Sequence, residues 1–235
     1  MASTPPPGSQ LTLEVQLRDE ATLANYLPLA ERQLVVDALQ ALMAGEGESL
    51  IYLYGPVSSG KSHLLQAVCQ YLGQNALYLP LAELIDCPPD AVLADIEQAS
   101  LVCLDDIDAV SGLPNWELAL FHCFNRIRAV GCRLLLSASV APRQLTMELA
   151  DLRSRLGWGL IFHLPDYDDA EKESLLVFCA RRRGLVMSAE VARYLIARLP
   201  RNLEQLLAFL GEVDKLSLKY KRALTIPFLR QILAS

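Results

Sequence analysis

The most informative part of the sequence is the stretch Gly55-Pro56-Val57-Ser58-Ser59-Gly60-Lys61-Ser62. It follows an apolar run, Leu50 to Tyr54, and precedes a helical pattern, His63 to Leu72. A strand, a glycine-bounded loop and a helix opened by Lys-Ser form the P-loop arrangement, in which backbone N–H groups and a helix N-terminus surround a phosphate. Lys61 would supply positive charge for the β and γ phosphates, and the Ser62 hydroxyl would bind Mg²⁺. The alternative, a flexible glycine turn, is disfavoured because eight positions and both flanks match.

A second motif supplies the acid that such a site needs. The run Leu101 to Leu104 is apolar without alternation, as expected of a strand buried on both faces, and Asp105-Asp106-Ile107-Asp108 follows it. A carboxylate at the end of a strand beside the P-loop strand is where a Walker B acid binds Mg²⁺, directly or through water. We assign this role to Asp105 and predict that Asp106 orients or activates water. The alternative is a solvated acidic turn.

The composition indicates a folded, soluble protein. Of the 235 residues 52% are hydrophobic, and the net charge of −6 argues against sequence-independent binding to nucleic acid, which depends on Lys and Arg. No apolar run approaches the roughly 18 residues of a membrane span, and the start lacks a signal-peptide pattern. We therefore expect a cytoplasmic protein without a membrane partner. The cysteines form no CxxC pair, which predicts reduced core residues rather than a zinc site; they are Cys69, Cys87, Cys103, Cys123, Cys132 and Cys179.

Three regions are predicted along the chain. Residues 1–19 begin as a proline-rich, disordered tail, and the apolar residues of Gln10 to Leu17 then alternate as in an extended segment. That segment is either an edge strand or a peptide that docks on a partner. Residues 20–166 predict a nucleotide-binding α/β domain, and residues 167–235 predict a small all-helical lid domain.

The α/β region predicts a five-stranded parallel sheet covered on both sides, because strand and helix patterns alternate. Ligands of such sheets bind at the carboxyl ends of the strands, where both the P-loop and Asp105 fall. The strands are predicted near 50–54, 76–80, 101–105, 133–138 and 160–164, with helices near 32–44, 61–72, 90–98 and 115–129. Beyond residue 168 the pattern is helical throughout, with helices predicted at 169–183, 188–199, 203–218 and 226–233.

A P-loop domain followed by a helical lid resembles the AAA+ ATPases, and three motifs resemble the bacterial replication initiator DnaA. The segment Leu152 to Gly159 is similar to box VII of DnaA, which reads Ser-Arg-Phe-Gly-Trp-Gly. Asp105-Asp106-Ile107 resembles the DnaA Walker B motif, whose second Asp replaces the usual Glu. The run Leu134 to Ser137 resembles the strand that ends in the sensor I polar residue, here Ser137. The resemblance covers residues 20–235 and implies that ADP or ATP binds with Mg²⁺.

Further features resemble the Hda family of DnaA-related regulators. The chain ends after the lid, so we expect no helix-turn-helix domain and no sequence-specific DNA binding. Gln10-Leu11-Thr12-Leu13 resembles the peptide that binds the sliding clamp, the β subunit of DNA polymerase III, and 224–228 also resembles Hda. The resemblance implies that Gln10, Leu11 and Leu13 enter apolar pockets of the clamp. It also implies that the clamp-bound protein on DNA stimulates ATP hydrolysis by DnaA and prevents re-initiation.

The resemblance assigns roles to two arginines, Arg155 and Arg201. Arg155 matches the arginine finger, whose guanidinium stabilises a transferring phosphoryl group in trans, whereas Arg153 is expected to face elsewhere. Sensor II is an arginine in DnaA, and the alignment places Glu204 at its position. Arg201, one helical turn earlier, would substitute for it. Because a carboxylate repels a γ-phosphate, we expect ADP to bind at least as well as ATP.

Two other functions stay open at the level of sequence. A self-sufficient ATPase of the helicase-loader type would hydrolyse ATP alone and bind a helicase or single-stranded DNA. A P-loop kinase would need an acceptor pocket, and it gives no role to box VII or to a lid. The sequence leaves intrinsic ATPase activity undecided, and it leaves open whether the chain forms a homo-oligomer.

Overall fold

The computed structural model describes residues 17–200, 202–220 and 224–233. Two compact units divide the chain: the first consists mainly of Glu31–Pro56 and Gly60–Leu164, and the second includes Leu27–Ala30, Val57–Ser59 and the chain from Pro165 onward. The predicted clamp-binding residues Gln10, Leu11 and Leu13 lie outside the described residues, as does Arg201.

The first unit is built on a five-stranded sheet in which all pairings are parallel, in the order β2-β3-β4-β1-β5. This confirms the predicted fold class. The strand β1 that leads into the P-loop is flanked by β4 and β5, and β4 in turn pairs with β3, which leads into Asp105. The strands are β1 Leu50–Tyr54, β2 Ala76–Pro80, β3 Leu101–Asp105, β4 Arg133–Ala138 and β5 Leu160–His163.

Both faces of the sheet are covered, which explains why its strands lack polar alternation. In β1, Leu50 and Tyr52 belong to one apolar core and Ile51 and Leu53 belong to another. The first core contains residues of α5 and α6, and the second contains residues of α1 and α2. The helices of this unit are α1 Gln33–Ala44, α2 Lys61–Leu72, α3 Leu81–Leu84, α4 Pro89–Val92, α5 Pro114–Val130 and α6 Ala150–Leu156.

One predicted helix, 90–98, is wrong. The helix α4 ends at Val92, and Asp95 adopts a left-handed backbone conformation with φ 56° before a 3₁₀ turn at Ile96–Gln98. A left-handed residue breaks the helical hydrogen-bond ladder, since L-residues adopt this conformation singly and not in runs. The short helices α3 and α6 were not predicted, because four and seven residues are too few for a clear apolar period.

Gly159 permits a close approach between the start of β5 and β1. A Cβ atom at this position would overlap the Leu50 carbonyl oxygen and would lie only 2.6 Å from the Leu50 carbonyl carbon. Both are backbone atoms, so a side chain here would push the two strands apart. The second glycine of the Gly157-Trp158-Gly159 segment is therefore a requirement of the sheet.

The second unit is helical in its described part, as predicted, with capped helix starts. Asp168 and Glu171 form a capping box at the start of α7, and the Ser188 hydroxyl accepts from the Val191 N–H to cap α8. Asn202 accepts from the Glu204 N–H and also from the Ser58 hydroxyl, which belongs to this unit. The helices are α7 Asp169–Arg182, α8 Ala189–Arg198, α9 Leu203–Tyr220 and α10 Ile226–Leu233. In the described part of the chain, no helix has the length and apolarity that crossing a membrane requires.

Candidate functional site

The P-loop connects the end of β1 to the start of α2. Ser58 and Gly60 have positive φ angles of 64° and 97°, which turn the backbone so that α2 begins at Lys61. The Lys61 side chain is buried and folds back along the loop, where its Nζ donates to the carbonyl oxygens of Gly55 at 2.8 Å and Pro56 at 2.9 Å. The loop thus has the helix N-terminus and the lysine that phosphate binding requires.

The acidic residues that follow β3 lie near this lysine. Burial lowers the pKa of Lys61, and the negative charges of Asp106, Asp105 and Asp108 act in the opposite direction. Each of these carboxylates therefore lies close enough for its charge to stabilise the ammonium form of the lysine. The structure therefore places the P-loop lysine close to the acidic segment that follows β3, although the two segments are distant in the chain.

Asp105 is buried at the end of β3, and both of its carboxylate oxygens accept hydrogen bonds from hydroxyl groups. The Tyr78 hydroxyl on β2 donates to Oδ2 at 2.6 Å, and the Ser137 hydroxyl on β4 donates to Oδ1. Strands on either side of β3 therefore hold the carboxylate that the sequence predicts as the Walker B acid. Ser137, predicted as the sensor I residue, lies directly beside Asp105, whereas the sequence motifs gave no indication of Tyr78.

Asp106 lies one residue beyond the strand, with a left-handed φ of 55°. Its backbone N–H donates to the Ser137 hydroxyl at 2.9 Å, which fixes the turn. Burial, together with the charges of Asp105 and Asp108, raises the pKa of Asp106 to about 6, and Lys61 opposes the increase. A carboxylate with a pKa near neutrality is suited to exchanging a proton with water.

The oxygen ligands at this site suit Mg²⁺ rather than a transition metal. A carboxylate and a serine hydroxyl are hard ligands, and Mg²⁺ in nucleotide sites takes one or two protein groups together with phosphates and water. Within the described ranges, no group of three or more His, Cys, Asp or Glu side chains could hold a metal ion without such help. Ser62 and Asp105 are the residues that would hold Mg²⁺, and it would neutralise phosphate charge there.

A second cluster, which we call the arginine surface, consists of Phe121, Asn125, Arg128, Arg155 and Trp158. The Arg155 guanidinium on α6 lies 4.3 Å from the centre of the Phe121 ring and 5.7 Å from that of Trp158, and its Nη1 donates to Asn125 Oδ1. Arg128 lies 4.6 Å from the centre of the Trp158 ring, which is 53% exposed. Stacking on aromatic rings and a hydrogen bond to an amide hold Arg155 in one orientation.

Glu117 fixes the start of the helix that carries Arg155. This buried carboxylate on α5 accepts backbone N–H groups from Gly112 at 2.8 Å, Glu148 at 3.2 Å and Leu149 at 2.7 Å. Leu149 is the residue immediately before α6. The carboxylate thus joins the loop before α5 to the loop before α6. No sequence motif indicates this role, because the partners of Glu117 are backbone groups.

The predicted sensor II region is described only in part. Glu204 lies exposed in the first turn of α9 in the second unit, while Arg201 lies outside the described residues. The roles of both residues stay predictions.

Comparisons with known proteins place these features in a family. The family model of the Hda lid domain matches residues 169–233, and that of the bacterial DnaA ATPase domain matches residues 90–163. An uncharacterised protein of Haemophilus influenzae is 42% identical over 228 residues, which cover 95% of this chain and 98% of that protein. Relatedness therefore extends over almost the whole chain.

Solved structures of DnaA share the fold. Domain III of the Thermotoga maritima replication initiation protein DnaA has a TM-score of 0.75 at 20% identity, covering 90% of this chain and 95% of that one. DnaA bound to AMPPCP and single-stranded DNA has a TM-score of 0.69 at 22% identity over 84% of this chain, which spans 66% of that protein. Because one matched model is specific to the lid of Hda and the other to the ATPase domain of DnaA, the chain belongs to the Hda family of DnaA-like AAA+ proteins.

Proposed function

We propose that the chain binds ADP or ATP with Mg²⁺ and, together with the sliding clamp on DNA, stimulates ATP hydrolysis by DnaA. In this proposal Arg155 enters the nucleotide site of DnaA as an arginine finger, and the resulting ADP form of DnaA no longer initiates replication. The observation that carries the proposal is the arginine surface, where Arg155 is stacked and oriented by residues of α5.

The geometry of Arg155 suits action on a partner. Asn125 accepts from one nitrogen of the guanidinium, which has five N–H donors, so most of the planar fork can bind phosphate oxygens. The ring of Phe121 limits the rotation of the side chain, which lowers the entropy lost when it docks. In GTPase systems a finger of this kind contributes roughly 10³–10⁵ in rate.

The nucleotide part of the proposal rests on the P-loop and on the DnaA structures. The P-loop carries the complete Gly-Lys-Ser sequence, and Lys61 shares an electrostatic neighbourhood with Asp105 and Asp106. Two structures of DnaA that share the fold contain the ATP analogue AMPPCP. The clamp part rests on the sequence Gln10-Leu11-Thr12-Leu13 alone.

The deciding experiment measures phosphate release from ATP-loaded DnaA mixed with clamp on DNA and this protein. The intact protein should accelerate release, while Arg155→Ala and Arg155→Lys should both lose the acceleration, because Lys lacks the planar fork. Arg153→Ala, on the same helix, is the matched control and should keep it. If the intact protein gives no acceleration but hydrolyses ATP alone in a Lys61-dependent manner, the proposal is wrong and the chain is a self-sufficient ATPase.

The clamp requirement has a separate test. The intact chain should be retained on immobilised clamp, and replacement of Gln10, Leu11 and Leu13 by Ala should abolish the retention. Equal retention of the intact and substituted chains would show that this segment is not the clamp-binding peptide.

A further inference from the structure

The hydroxyl of Tyr78 takes part in a line of hydrogen bonds whose direction can be assigned. The line begins at the Arg18 backbone N–H, which donates to Gln66 Oε1 at 3.0 Å. Because a backbone N–H only donates, the oxygen of the Gln66 amide must face Arg18 and its nitrogen must face Tyr78. The Gln66 Nε2 group accordingly donates to the Tyr78 oxygen at 3.1 Å.

Tyr78 must then donate its proton to Asp105. A phenol has one O–H donor, and its oxygen already accepts a hydrogen bond from Gln66. The O–H group therefore donates its hydrogen bond to the Asp105 carboxylate, 2.6 Å away. The Gln66, Tyr78 and Asp105 side chains are buried, with Tyr78 8% and Gln66 6% exposed, so water offers little competition for the two bonds that join them.

The same reasoning applies on the other side of Asp105. The Asp106 backbone N–H donates to the Ser137 oxygen at 2.9 Å, so the Ser137 proton is directed to Asp105 Oδ1. Two hydroxyl groups, each oriented by an N–H donor, thus fix the plane of the carboxylate. One lone pair on each oxygen is used, and the carboxylate retains others for a metal ion or its water.

We propose that Tyr78 is a positioning residue for magnesium: its oriented hydroxyl holds Asp105 in the plane needed to bind nucleotide-associated Mg²⁺. This inference rests on the nucleotide-binding part of the proposed function and does not depend on DnaA or the clamp. Partners of this kind, which contact a ligating group rather than the metal, typically contribute about 10–100-fold to metal affinity.

The test compares ADP affinity in excess Mg²⁺ with ADP affinity in EDTA, measured by titration calorimetry on the full chain. Tyr78→Phe should reduce the ratio of the two affinities about tenfold, since the ring stays and only the donor is lost. Tyr52→Phe is the matched control, because Tyr52 is also a buried tyrosine of the sheet, but its hydroxyl donates to the Val140 carbonyl at 3.0 Å. The control should retain the wild-type ratio.

Ser137→Ala supplies a second arm, because it removes the other hydroxyl donor to Asp105. It should lower the ratio in the same direction as Tyr78→Phe. If Tyr78→Phe reduces only thermal stability and keeps the wild-type ratio, Tyr78 has a structural role alone and the inference is overturned. A wild-type affinity that is equal in Mg²⁺ and EDTA overturns it as well, whereas failure of the DnaA experiment leaves this measurement unaffected.

Discussion

Replacement of Glu117 tests how the start of α6, the helix of Arg155, is held in place. The carboxylate is 2% exposed, and its three backbone donors come from Gly112 and from the loop before α6. Glu117→Ala removes all three hydrogen bonds. Glu117→Gln keeps a carbonyl oxygen for two of the donors but turns an NH₂ group towards the third.

The expected loss of stability follows from these contacts. A hydrogen bond to a charged group is worth about 1.5–3 kcal/mol, so three bonds set an upper bound of roughly 4.5–9 kcal/mol. The three bonds are only partly buried, so water will compensate for some of the loss, and we expect a decrease in unfolding free energy of about 4 kcal/mol for Glu117→Ala. For Glu117→Gln, which loses one bond outright, we expect about 2 kcal/mol.

The assay is urea unfolding followed by tryptophan fluorescence. Trp116 and Trp158 both belong to the first unit, so the signal reports on the unit that contains Glu117. With a slope of about 2 kcal/mol per molar urea, Glu117→Ala should lower the midpoint by roughly 2 M. Glu148→Ala is the control, since it removes a neighbouring carboxylate but leaves the backbone N–H in place. If Glu117→Ala unfolds within about 0.5 kcal/mol of the control, the three bonds do not stabilise the fold as argued.

Three other positions give single-site predictions. Gly159→Ala should lower the free energy of unfolding by about 3 kcal/mol in the same assay, because its Cβ would meet the Leu50 carbonyl. Gly131→Ala is the control: its Cβ would meet no atom within 4 Å, and its φ of 73° should lower the free energy of unfolding by only about 1 kcal/mol. Burial raises the pKa of Cys123 to about 12, so iodoacetamide at pH 8 should modify it only after denaturation, as peptide mass spectrometry will show. If Glu204 takes the sensor II position, as the sequence predicts, ADP should bind at least as tightly as ATP, and a more than tenfold preference for ATP in calorimetry contradicts this.

Local pattern was sufficient to predict the parts of the fold that are continuous in the chain. The run Leu50 to Tyr54, the P-loop and the helix from Lys61 follow one another directly, so glycine positions and apolar runs predicted their bounds. The wrong helix at 90–98 shows where a local pattern is insufficient. Its apolar spacing is helical, but the left-handed conformation of Asp95 interrupts it.

The contacts that hold the site were beyond prediction because they join distant parts of the chain. Tyr78 and Asp105 are 27 positions apart, and Asn125 and Arg155 are 30 apart. Each pair forms only after strands or helices have packed, and no spacing rule connects its members. A tyrosine in an apolar strand gives the same pattern whether its hydroxyl bonds the Asp105 carboxylate, as in Tyr78, or a loop carbonyl, as in Tyr52.

The nucleotide site and the arginine surface differ in how their charged groups are held, and this difference bears on what each site can bind. In the nucleotide site, the ammonium group of Lys61 bonds two loop carbonyls and both oxygens of Asp105 accept hydroxyl protons. The first of these contacts uses two of the three donors of the ammonium group, and the second leaves other lone pairs on the carboxylate. On the arginine surface, Arg155 is stacked on Phe121 and bonds Asn125 through one nitrogen of its fork. The nucleotide site thus keeps groups for phosphate and Mg²⁺, and the oriented guanidinium of Arg155 supports the proposal that the chain holds nucleotide and promotes hydrolysis in a partner.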